Sequence, residues 1–143
     1  MQPVTGIRLL GVRLGLAVLA FYWTLIFVGT HLPTLPNAAH ELNDKVLHFT
    51  AFFGLATLLC YVTNSQNWRL RFSAIIVVCL LYAAMDEWSQ SLVRGRQTDV
   101  YDLLADASGT VTAVALYLTG RSIWLRRYSV DGPAVPSADP PAV

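Results

Sequence analysis

The sequence predicts an all-α integral membrane protein, an antiparallel bundle of four transmembrane helices. Two observations point there. The 143-residue chain is 55% hydrophobic, with a mean hydropathy of +0.49, and only 13% of it is charged, about half the share of an ordinary soluble domain. A soluble protein this small has a high surface-to-volume ratio and needs more polar surface than that. The apolar residues are also gathered into four runs separated by short polar connections. The same composition excludes intrinsic disorder, which requires low hydrophobicity and high charge. The length is room for one domain.

The first run, Leu14 to Thr30, has 17 uncharged residues preceded by Arg8 and Arg13. Extended slightly at its start, it spans a hydrocarbon core of about 30 Å. A cleavable signal peptide is the alternative, but the run exceeds the usual h-region and no small-residue cleavage site follows. Pro33 and Pro36 then forbid helix continuation through the connection. The second run, Val46 to Thr63, is interrupted only by His48. The third, Phe72 to Met85, is charge-free for only 14 residues and becomes long enough by continuing through Asp86, Glu87 and Gln90 to Val93. The fourth, Ala107 to Gly120, needs a start near Val100 that takes in Asp102 and Asp106. Residues 8–128 thus form the membrane domain, and the Pro- and Ala-rich segment 129–143 reads as a disordered tail.

Short loops imply antiparallel neighbours, and the basic residues set the orientation. Seven arginines (8, 13, 69, 71, 121, 126 and 127) fall on one side, against Lys45, Arg94 and Arg96 on the other. Both termini are therefore expected in the cytoplasm. Trp68 and Trp124 then mark the inner interface, and Trp88 and Tyr101 the outer one. Cys60 and Cys79 lack metal or redox spacing and read as small buried hydrophobes.

In this topology seven of the nine acids and all three histidines lie on the outer half. With a rise of 1.5 Å per residue, Asp86 lies about 12 Å below the outer loop, Asp106 about 10 Å and His48 about 5 Å. Asp99, Asp102 and Asp106 follow i, i+3, i+7, Asp86 and Gln90 are i, i+4, and Lys45, His48 and Phe52 form one stripe. Ala105, Gly109 and Ala113 make a small-residue ladder on which a neighbouring helix approaches closely. An Asp at a helix centre costs roughly 2.5–3.5 kcal/mol on the insertion scale, and ionisable residues inside a membrane point to function. The five acids Asp86, Glu87, Asp99, Asp102 and Asp106 exceed Lys45, Arg94 and Arg96 by two. A raised carboxyl pKa, a divalent cation or a cationic substrate group would relieve that excess. The oxygens suit a cation, but no dedicated ligand spacing is present, so no metal site and no cofactor is assigned. There is no P-loop, nucleophile elbow, zinc-protease or dinucleotide motif, and the basic residues are too few for a nucleic-acid surface.

The series Lys45-Val-Leu-His48-Phe, Asp86-Glu87-Trp-Ser-Gln90, Arg94-Gly-Arg96 and Asp99-Val-Tyr-Asp102-Leu-Leu-Ala-Asp106-Ala-Ser-Gly109 resembles the VanZ-like family. These are small polytopic proteins whose namesake is an accessory determinant of teicoplanin resistance. The resemblance covers Arg8 to Tyr128 and departs at Ser89, where the family pattern suggests histidine or another polar group. It implies a membrane location and a link to the bacterial envelope rather than a particular reaction. Two functions follow. The cluster binds a lipid or envelope head group in an accessory role, or it is an active site on a lipid-linked envelope substrate. In the second case Asp86, Glu87, Asp102 and Asp106 supply acid–base chemistry. Lys45, His48, Gln90, Arg94, Arg96 and Asp99 hold the substrate, the arginines by bidentate contacts to phosphate or carboxylate. A proton-linked transporter would want polar residues in the inner half too, and the first helix offers almost none.

Overall fold

The computed structural model describes residues 8–9, 12–31, 40–93 and 98–130. Four helices dominate it: α1 (Leu14–Thr30), α2 (His40–Val62), α3 (Trp68–Gln90) and α4 (Val100–Val130). A two-rung antiparallel ladder of β1 (Arg8–Leu9) and β2 (Val12–Arg13) precedes them. Helices α2, α3 and α4 each contain a stretch long and apolar enough to cross a membrane, and α1 is a shorter apolar helix. The chain is an all-α membrane bundle.

Helix ends differ from the apolar runs for local reasons. The expected extension of the first run does not occur, because residues 12 and 13 belong to the ladder. The 17 residues of α1 rise about 26 Å, near the lower limit for a span. Helix α2 begins six residues before its apolar run. Hydropathy marks where a helix enters hydrocarbon, whereas the helix itself continues through any polar residues that do not break it. Asn67 caps α3, its side chain accepting from the Leu70 amide at 3.1 Å. Helix α3 stops at Gln90 rather than Val93 because the Leu92 and Val93 amides close a turn onto the Ser89 and Gln90 carbonyls. Helix α4 starts where the carboxylates require, then continues beyond Gly120 and Arg127 to Val130. The first two residues of the expected tail, 129 and 130, belong to α4, and the rest of it lies outside the described residues, as do Pro33 and Pro36.

The packing is inverted relative to a soluble protein. Phe21, Leu47, Leu70, Met85 and Leu92 are exposed, while His48, Asp86, Glu87, Gln90, Asp102 and Asp106 are buried. Only a lipid surround makes that arrangement favourable. The apolar core lies toward the other end of the bundle and includes Phe52, Leu55, Cys60, Phe72, Ile75, Cys79 and Val114. Both cysteines are free thiols within it.

Helices α2 and α4 form the closest pair, and Gly109 makes it so. A Cβ there would collide with the Phe49 carbonyl oxygen and stand 3.1 Å from both Phe49 C and Phe53 N. The small-residue ladder is thus a backbone-to-backbone seam, with Ala113 buried one turn further on. Tyr22 ties α1 to α2 by donating to the Ala51 carbonyl at 3.2 Å, and its ring lies over Gly54. Trp23 packs edge-on against Tyr82, centroids 5.1 Å apart, joining α1 to α3. At the α2–α3 turn, Arg71 donates to the Cys60 carbonyl and, at 3.2 Å, to the Thr63 hydroxyl.

Candidate functional site

The end of α1, the start of α2, the end of α3 and the start of α4 meet at one end of the bundle, and the polar residues collect there. From α2, the i, i+3 step from Lys45 to His48 turns both toward α4. The His48 imidazole is buried, and its Nδ1 lies 3.0 Å from Asp106 Oδ1, itself 1% exposed. An ionised Asp106 accepts a hydrogen bond from Nδ1–H, which fixes the imidazole tautomer and leaves Nε2 as the atom with a lone pair. One turn outward, Lys45 Nζ donates to Asp99 Oδ2 at 2.7 Å and to Asp102 Oδ1 at 3.3 Å.

Asp99 is not part of the α4 face that its spacing suggested. It precedes the helix and caps it, its Oδ1 accepting from the Tyr101 amide at 2.8 Å. Its backbone amide in turn donates to Glu87 Oε1. This carboxyl lies outside the spanning helices, and its pKa is held below the usual carboxylate range by the Lys45 hydrogen bond, then by the Tyr101 amide.

Helix α3 contributes Asp86, Glu87 and Gln90. The Gln90 amide donates to Asp86 Oδ2 at 2.7 Å, the i, i+4 pair its spacing predicts. The other Asp86 oxygen accepts from Thr30 Oγ1 at 3.0 Å and lies 3.9 Å from His31 Nδ1. His31 Nε2 is 2.9 Å from Ser89 Oγ. Where the family pattern at 89 suggested histidine or another polar group, serine stands, and the imidazole of His31, just past α1, reaches it.

Eight of the ten residues singled out from sequence therefore gather at one place: Lys45, His48, Asp86, Glu87, Gln90, Asp99, Asp102 and Asp106. Arg94 and Arg96 lie outside the described residues. Thr30, His31 and Ser89 were missed as members, although His31 was legible as a histidine on the same side. Asp44 was counted among the outer acids but not assigned to the site. It belongs there, because one ligand atom from each of Asp44, His48 and Asp102 lies within 4.8 Å of the other two.

Two oxygens in this cluster, Glu87 Oε2 and Asp106 Oδ2, are buried and have no hydrogen-bond partner among the described residues. A buried acceptor left without a donor costs roughly 1–3 kcal/mol, more when charged. The charge excess expected from sequence counts Arg94 and Arg96, which lie outside the described residues. Among the described residues Asp44, Asp86, Glu87, Asp99, Asp102 and Asp106 face one permanent cation, Lys45.

Comparison with known proteins agrees with this construction. A family model described as VanZ/LLP1 matches residues 7–124. The chain belongs to the VanZ/LLP1 family. All eight gathered residues of this VanZ/LLP1 protein lie inside the matched span. It is also 32% identical over 100 residues to an uncharacterized protein of Schizosaccharomyces pombe, covering 69% of this chain and 61% of the yeast protein. The match therefore spans about three fifths of that relative's length. No solved structure matches the chain.

Proposed function

We propose that the acidic end of this VanZ/LLP1 bundle is a pocket for the polar head group of a lipid or lipid-linked envelope precursor, which the protein binds in an accessory role. The observation that supports it is the pair of buried acceptors without donors among the described residues, Glu87 Oε2 and Asp106 Oδ2. A head group bearing hydroxyl or amine donors would satisfy both, and its acyl chains would lie along the exposed apolar faces of the helices. The proposal extends to the setting. Both termini are cytoplasmic, the pocket opens on the outer leaflet of a bacterial cytoplasmic membrane, and residues 8–128 are the functional unit. The seven-to-three distribution of basic residues supports that orientation.

The test is thermal melting of the full chain in phosphatidylcholine nanodiscs doped with phosphatidylethanolamine or phosphatidylglycerol. Choline has no N–H, whereas ethanolamine and glycerol head groups donate. A ligand that binds only the folded state raises the melting temperature. The expected result is a rise with a donor-bearing lipid that Glu87→Gln diminishes. Melting indifferent to head group in the wild-type protein would defeat the proposal.

A second reading, an enzyme acting on a lipid-linked envelope substrate by carboxylate acid–base chemistry, draws on the His48–Asp106 pair. A buried imidazole hydrogen-bonded to a buried carboxylate is an oriented base. Turnover of a lipid-linked phosphodiester that His48→Gln abolishes would favour this reading over simple binding.

A further inference from the structure

We propose that Asp44, His48 and Asp102 form a binding site for one divalent first-row transition-metal ion, of the Mn²⁺ or Zn²⁺ kind. The proposal shares Glu87 Oε2 with the head-group reading but is tested apart from it, since metal binding is measured without lipid ligand and either can fail alone.

Backbone geometry brings the three together. Asp44 and His48 are four residues apart on α2 and share a face, and Asp102 stands opposite them on α4, across the seam that Gly109 keeps narrow. Ligand atoms held 2.0–2.2 Å from a common ion lie at most about 4.4 Å apart. The three observed ligand atoms all lie within 4.8 Å of one another, at most about 1 Å beyond the roughly 3.6 Å that tetrahedral ligands span, a gap that side-chain rotation closes. One imidazole and two carboxylates suit the borderline metals rather than Ca²⁺, which takes oxygen ligands.

Three further features point to a cation here. First, Asp106 sets the tautomer of His48. Its Nδ1 is engaged by buried Asp106 at 3.0 Å, so Nε2 remains for an ion, the carboxylate–histidine–metal arrangement in which an outer carboxylate sets tautomer and ring angle. Second, Glu87 Oε2 is buried and lacks a donor among the described residues, while its Oε1 accepts from the Asp99 amide at the start of α4, the helix that carries Asp102. A water on the ion would provide that missing donor. Third, by sequence Asp86, Glu87, Asp99, Asp102 and Asp106 exceed Lys45, Arg94 and Arg96 by two, an excess that a divalent ion offsets. Lys45 engages one oxygen of Asp102. Its shorter contact is to Asp99 at 2.7 Å, and it reaches Asp102 at 3.3 Å through Oδ1 only, leaving a carboxylate with a second oxygen to offer.

The experiment is Mn²⁺ titration of the full chain, stripped with chelator and purified in detergent, followed by electron paramagnetic resonance. The expected result is one ion per chain, with imidazole nitrogen coupling in the pulsed spectrum. Asp44→Asn, a substitution at a half-buried position, should weaken binding at least tenfold while circular dichroism shows the helices intact. Asp106→Asn should weaken it 10- to 100-fold through the orientation of His48, and His48→Gln should remove the nitrogen coupling. Failure to bind stoichiometrically would overturn the site. So would an affinity unchanged by Asp44→Asn, or bound Mn²⁺ without nitrogen coupling.

Discussion

Replacing Gly109 by alanine tests the central seam of the bundle, because two effects of opposite sign meet there. On helix propensity alone, Gly→Ala in a helix interior stabilises by about 1 kcal/mol. At Gly109 the added Cβ meets atoms that cannot rotate away: the Phe49 carbonyl oxygen inside van der Waals contact, with Phe49 C and Phe53 N at 3.1 Å. All three belong to the α2 backbone, so relief requires moving one helix against the other. Overpacking of this kind costs typically 1–3 kcal/mol or more, and the shift also loosens the His48–Asp106 and Lys45–Asp102 contacts that cross the same seam. The net expectation is a loss of about 1–2 kcal/mol despite the propensity gain. Gly120 is the control. A Cβ there meets nothing within 4 Å, so Gly120→Ala should be neutral or stabilise by up to about 1 kcal/mol. Unfolding of both variants in mixed micelles of rising SDS fraction, followed by helical circular dichroism, reads the difference directly. Equal stability of Gly109→Ala and Gly120→Ala would refute the backbone-to-backbone seam.

Three other outcomes are expected. Asn67→Ala removes the acceptor for the Leu70 amide and should cost about 1 kcal/mol in the same assay, with Asn67→Asp largely restoring it. Asp99, whose pKa is lowered by Lys45, contributes stability that is complete above the ordinary carboxylate range and disappears as pH falls through its folded pKa. Wild-type protein should therefore exceed Asp99→Asn by under 1 kcal/mol at pH 7, since the pair is partly solvated. That gap should close below about pH 4, and a gap that widened in acid would contradict the pairing. For orientation, membrane-impermeant thiol labelling of intact cells, in a background without Cys60 and Cys79, should modify a cysteine at Leu92 and spare one at Gln66, both exposed turn positions. The opposite pattern would reverse the proposed sidedness.

The helices and most of the polar cluster were legible because the physics behind them is local. Charge-free runs located the membrane-crossing stretches, and the i, i+4 spacing of Asp86 and Gln90 gave a contact that the structure contains. The arguments that failed or stopped short depended on tertiary partners. Asp99 shares a heptad-like spacing with Asp102 and Asp106, yet it caps α4 because the chain must turn there and an Asp side chain accepts the exposed amide. Thr30 and His31 sit at the end of an apolar run, and nothing in their spacing indicates that Asp86, more than fifty residues away, meets both. Asp44 needed the partner helix to become a neighbour of Asp102. Arg94 and Arg96 were assigned from charge and motif, and both lie outside the described residues.

The cross-seam contacts between α2 and α4 carry a consequence for biogenesis. Lys45 and His48 are synthesised with the second helix, whereas their carboxylate partners Asp99, Asp102 and Asp106 arrive only with the fourth. In the interval Asp86 already has its donors Thr30 and Gln90, but Glu87 lacks the Asp99 amide it accepts from in the finished bundle, and an unmatched carboxylate resists insertion by up to roughly 2.5–3.5 kcal/mol. The bundle end therefore cannot be neutralised helix by helix as the chain emerges. It requires that α2 and α3 wait, sheltered from lipid by the insertion machinery or by water at the membrane surface, until α4 docks along the Gly109 seam and completes the polar cluster in one step. A nascent chain halted before α4 is left with unmatched charges in the membrane, which makes it a natural substrate for membrane quality-control proteases.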